Sequence, residues 1–129
     1  MAPIPLGAIM GLILSATTSY LITGRLFHPF QQKTAATWRP ESWRHHLFAM
    51  LLQGAAGAGL GWLFAREGAP PVGLGLFGLG AAVWMVLVAC ILIQALYVNW
   101  HRGFVVGLVL DWSVFIAGVL LVCAGFATR

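Results

Sequence analysis

Apolar positions along this chain gather into four long runs, and polar positions either separate the runs or recur at helical spacing inside them. A hydrocarbon layer of about 30 Å is crossed by roughly 20 helical residues, and the runs over 4–27, 42–65, 71–99 and 103–128 each reach that length. The intervals Arg66-Glu67-Gly68 and Asn99-Trp100-His101-Arg102 are short, which predicts antiparallel neighbours for the second, third and fourth spans. Only the interval over 28–41 is long. The pattern predicts an all-α, antiparallel four-transmembrane-helix bundle that forms one domain over 1–129.

Composition strengthens this reading. A chain that is 60% hydrophobic, with a mean hydropathy of +0.91 and three acidic residues, has too little polar surface to cover itself in water. The lipid bilayer is therefore its expected solvent. The net charge of +4 does not point to nucleic acid, because it lies mostly at one face of the predicted bundle. Arg25, Lys33, Arg39, Arg44 and Arg102 fall at that face, against Arg66 and Arg129 at the other. Basic residues beside spans are retained in the cytoplasm, so both termini are expected on the non-cytoplasmic side. Trp38, Trp43 and Trp100 then form a cytoplasmic aromatic rim, with Trp62 near the opposite one. The N-terminus lacks the basic region of a secretory signal and its apolar run continues to Thr23, which predicts a retained span. Cys90 and Cys123 lie at different depths, too far apart for a disulfide within one chain.

Helical spacing sorts each run into faces. Gly11, Ser15, Thr18 and Arg25 share one on the first span, and His46, Gln53, Gly57 and Gly61 share one on the second. On the third the sequence is Gly73, Gly80, Gln94 and His101, with Tyr97 beside them, and on the fourth it is Gly107, Asp111, Gly118 and Gly125. Small residues let lipid-embedded helices approach closely, so these stripes are expected to face one another. At about 1.5 Å per residue, Asp111, Gln53, Gln94 and Thr18 all fall roughly 9 to 14 Å below the cytoplasmic ends of their helices, in one polar layer.

Asp111 needs the most explanation. A lone carboxylate facing hydrocarbon costs on the order of 3 kcal/mol, so it should face the interior and either pair or take a proton. Arg25 is its expected partner, with His46 and His101 as alternatives. The whole layer also reads as interhelical hydrogen bonding, or as a proton or cation site centred on Asp111. Imidazole suits haem iron, zinc and copper, and His46 and His101 stand at similar height where a haem would be held. Both sit at the interface, where water solvates them, so no cofactor is expected. No nucleophile and base at catalytic spacing, phosphate-cradling loop or zinc-ligand spacing is present in the sequence, and an enzyme is not expected.

The stretch Leu96-Tyr97-Val98-Asn99-Trp100-His101-Arg102-Gly103, running on into Val109-Leu110-Asp111-Trp112, resembles a family of small four-helix bacterial membrane proteins of unknown function. The N-terminal span followed by the polar Phe27-His28-Pro29-Phe30 segment is similar as well. The resemblance implies the four-span fold and a place in the bacterial inner (cytoplasmic) membrane, and brings no catalytic residues. Two functions are consistent with the sequence, and the first is favoured because the polar layer lies off-centre, whereas transport sites usually lie near the midplane. One is a membrane subunit that docks by its glycine-rich faces with other membrane proteins, such as those of a bioenergetic complex. The other is a small oligomeric transporter or channel with Asp111 as its proton or cation site. A haem-binding redox module is a third.

Overall fold

The computed structural model describes residues 2–32, 43–70, 72–97 and 100–127, and helix is the only regular structure among them. Helix α1, Pro3–Leu14, continues into a π-wound segment, Ser15–Phe27, and a short helix α2, His28–Gln32. Helices α3, Trp43–Arg66, α4, Leu74–Tyr97, and α5, Arg102–Ala127, follow. Four helical stretches are long and apolar enough to cross a membrane: Pro3–Phe30, His46–Arg66, Leu74–Ala95 and Arg102–Ala127. They coincide with the four predicted spans, except that the first continues as helix into the segment expected to be loop. Trp38 and Arg39 lie outside the described residues.

The ends of the helices follow from local chemistry. Pro3 sits at the first position of α1, where its missing N–H removes no bond, and it holds Ala2 extended. At Ser15 the winding widens from i→i+4 to i→i+5 bonding. The Thr17 and Thr18 hydroxyls donate back to the Ile13 and Leu14 carbonyls at 2.7 and 2.9 Å, bonds of the kind that loosen an α-helix. Helix α3 ends in a Schellman motif: Gly68 N–H donates to the Ala65 carbonyl at 3.2 Å and Ala69 N–H to the Phe64 carbonyl at 2.9 Å. This requires positive φ at Gly68, 77°, and brings Ala69 to 50°. His101 starts α5, its ring Nδ1 accepting the Gly103 N–H at 3.1 Å.

The packing is built on the first span. Helix α1 lies against α3 backbone to backbone, with Gly7 against Gly57, Gly11 against Gln53 and Gly61 against Pro3. Each step of four residues up α1 is matched by four down α3, an antiparallel seam of small residues in which a Cβ would strike a carbonyl oxygen. Helix α5 runs antiparallel along the whole first span: Cys123 near Pro3, Gly118 under Leu14, Gly107 under Phe27 and Gly103 under Phe30. Leu6, Leu14, Leu60, Phe64, Phe115 and Val119 fill the core where the three helices meet.

Helix α4 departs from the expected arrangement. It leans on α5, through Leu76 and through Gly80 against Leu120, and does not run along α3 despite the short turn between them. The small-residue face of α3 is already occupied by α1, which leaves α5 as the available surface. Of the glycines predicted to face inward from the third span, Gly80 does so. Cys90 and Cys123 are both free thiols, as their separation predicts.

Candidate functional site

Asp111 is 4% exposed on the face of α5 that meets the first span. Two hydroxyls of the π segment donate to its carboxylate, Ser19 Oγ to Oδ1 at 2.8 Å and Thr23 Oγ1 to Oδ2 at 3.0 Å. From α3, Gln53 Nε2 donates to Ser19 Oγ at 3.1 Å. Three helices thus converge on one carboxylate. The bonding order follows from the acceptor-only carboxylate: Ser19 gives its proton to Asp111, so it can only accept from Gln53, which must present its NH2 group. Gln53 Oε1 is left buried with no hydrogen-bond partner.

The winding of the first span creates this set. In an α-helix Ser15, Thr18 and Arg25 would share a face, as the sequence predicts. The wider π turn instead lines up residues four apart, so that Ser15, Ser19, Thr23 and Phe27 all point toward α5 or α3. Ser19 and Thr23 escape the sequence reading for this reason. The signal that could have found them is the unbroken run of small residues at spacing four, Gly7, Gly11, Ser15, Ser19 and Thr23.

The predicted site residues separate into those this cluster gathers and those it leaves out. Asp111 and Gln53 come together, through Ser19. Thr18 is held by its own helix, its hydroxyl on the Leu14 carbonyl. Gln94 is exposed on α4 and His46 is exposed near the start of α3. Arg25 does not pair with Asp111. It is exposed, its Nε donates to Tyr20 Oη at 3.3 Å, and its guanidinium lies 5.8 Å from the Tyr20 ring centroid. Two residues beyond Thr23, it points away from α5 and toward the side Tyr20 occupies. His101 is committed to capping α5 and stacks on Phe30 at 5.3 Å. The Tyr97 side chain lies outside the described residues.

Toward the start of α5 the cluster is closed by aromatic rings. Phe27 lies over Gly107 and Phe30 over Gly103, with 6.0 Å between the two ring centroids. On the opposite side of α5, Trp84 Nε1 donates to Ser113 Oγ at 2.8 Å at the edge of an apolar groove of about 600 Å³ between α4 and α5. Ser113 is two residues from Asp111 and so about 200° round the helix, which separates the groove from the carboxylate.

Among the described residues no group of three or more His, Cys, Asp or Glu side chains comes together, and His46 and His101 sit in unlike settings. The ligands gathered at Asp111 are all oxygens or amides. Such a set suits a proton or a hard cation, whereas transition metals favour nitrogen and sulfur. No family model matches the chain, and no curated protein or solved structure is significantly similar to it.

Proposed function

We propose that this protein is a small multi-pass carrier or channel, acting as an oligomer, in which Asp111 takes up and releases a monovalent cation, the proton included. The observation that carries this reading is the setting of the carboxylate. It is buried, it is held by two neutral hydroxyls, and the nearby arginine is turned to a tyrosine. A negative charge in that position is costly in a bilayer unless a mobile positive charge neutralises it. The π winding that presents Ser19 and Thr23 is also a feature that recurs at functional sites.

The membrane setting belongs to the same proposal. Arg44 over Trp43 at 5.7 Å and Arg66 over Trp62 at 5.3 Å mark the two ends of α3, as interfacial residues do. The distribution of basic residues favours the bacterial cytoplasmic membrane with both termini outside, which places Asp111 about 12 Å below the cytoplasmic end of α5. In liposomes carrying the purified protein, an imposed cation or proton gradient should dissipate faster than in empty vesicles. Asp111→Asn should remove that difference while leaving the circular dichroism spectrum unchanged. Absence of flux through the unmodified protein would sink the reading.

A second reading, a subunit docking within a larger membrane assembly, is favoured by α4. Among the described residues that helix packs chiefly against α5, and Leu74 (91% exposed) and Phe77 (75% exposed) project from it. Gly7, Gly11, Gly57 and Gly61 are taken up in the seam between the first two spans, so a partner would bind at α4 instead. Purification in mild detergent tests it: a protein that runs alone or only with copies of itself does not act as such a subunit.

A further inference from the structure

We propose that the ion held at Asp111 is a dehydrated alkali cation of sodium's kind, ligated by Asp111, Ser19, Thr23 and Gln53 Oε1. This rests on the carrier reading above and narrows its substrate from any monovalent cation to one.

Charge sets the valence. Asp111 is the single acid inside the four spans, since the other two acids of the chain are Glu41 and Glu67 in the intervals between them. The other three ligands are neutral, so a monovalent ion brings the site to zero net charge. A divalent ion would leave an excess positive charge in a low-dielectric setting, at a cost no neighbour offsets.

The orphaned acceptor favours a metal cation over a proton. Gln53 Oε1 is buried and has no partner, yet it shares a carbon with the Nε2 that touches Ser19, so it lies beside the cluster. A proton added to Asp111 neutralises the carboxylate and leaves that carbonyl oxygen as it was. A cation seated among the oxygens satisfies both at once. The hydroxyls are compatible with this role, because Ser19 and Thr23 give their hydrogens to Asp111 and keep oxygen lone pairs for a ligand. Each carboxylate oxygen likewise retains a lone pair beyond the one its hydroxyl uses. Oxygen ligands throughout select a hard cation.

The test is thermal unfolding of the purified full-length protein in detergent, followed by tryptophan fluorescence at fixed pH and ionic strength, with choline chloride replaced by NaCl, LiCl, KCl or MgCl2. The expected result is a saturable rise in Tm with Na+ or Li+ that Mg2+ and choline do not reproduce and that Asp111→Asn abolishes. Thr23→Val should raise the Na+ concentration needed for half the effect by on the order of tenfold. Gln53→Leu should do the same, and Thr23→Val alone suffices if Gln53→Leu does not fold. A Tm that responds to pH through Asp111 but not to Na+ overturns the inference while the carrier reading stands. A Tm indifferent to both, in a protein that also shows no flux, overturns the two together.

Discussion

Ser19, on the first span, donates its hydroxyl proton to Asp111 Oδ1 at 2.8 Å, and the two residues are 92 positions apart in the chain. The bond ties the π segment to α5 and gives the carboxylate one of its two fixed donors. Combined substitution of Ser19 by Ala and Asp111 by Asn should be less damaging than the sum of the single changes, with a coupling of about 0.5–2 kcal/mol in unfolding from mixed micelles. The cycle joining Arg25→Ala to Asp111→Asn should be additive within about 0.5 kcal/mol, because Arg25 is bonded to Tyr20. Strong coupling in the second cycle and none in the first would contradict the arrangement described.

The seam between α1 and α3 makes a sharper forecast for glycine. A methyl group on Gly7 or Gly57 would strike the facing carbonyl, so Gly7→Ala and Gly57→Ala should each destabilise by about 1–3 kcal/mol. Gly59 lies on the same helix with nothing within 4 Å of its would-be Cβ. Gly59→Ala should be neutral or stabilise by up to about 1 kcal/mol, from helix propensity alone. Equal losses at Gly57 and Gly59 would mean that the seam is elsewhere.

Gly107 should respond to Phe27. Gly107→Ala pushes a methyl into the Phe27 ring and should cost about 1–3 kcal/mol. Adding Phe27→Ala to that variant should restore part of the loss, although Phe27→Ala is itself destabilising. A double variant worse than the sum of the two changes would place Phe27 away from Gly107.

At the end of α3, Gly68 and Ala69 should respond in opposite ways. Gly68→Ala forces a side chain into a positive-φ conformation and should cost about 1–2 kcal/mol in Tm-derived stability. Ala69→Gly relieves the same strain at the next position and should be neutral or stabilising by up to about 1 kcal/mol. Loss of stability in Ala69→Gly would show that Ala69 does not adopt the left-handed conformation.

The four helices were legible because run length and helix length are related by a constant rise, and a run of apolar residues needs no knowledge of its neighbours to be recognised. Asp111 was legible for a similar reason: a single carboxylate within such a run stands out against its surroundings. Gln53 shared its depth and face, and the structure joins the two through Ser19. Thr18, Gln94, Arg25 and His46 shared the predicted layer or stripes, and none of them reaches the carboxylate.

By itself, then, the sequence determined the four membrane-length helices found among the described residues, with their approximate bounds apart from the end of the first, and that one of them carries an acid that needs a partner. Tertiary structure alone decided who that partner is. Helix phase accumulates along a span, so widening the turn at Ser15 rotates every later side chain, bringing Ser19 and Thr23 onto Asp111 and turning Arg25 away. It also decided which glycines meet, because two helices approach closely only where both are small at matching heights, a condition set by the pair and not by either strand of sequence. Gly7 and Gly57 satisfy it, while Gly59 and Gly78 face open space.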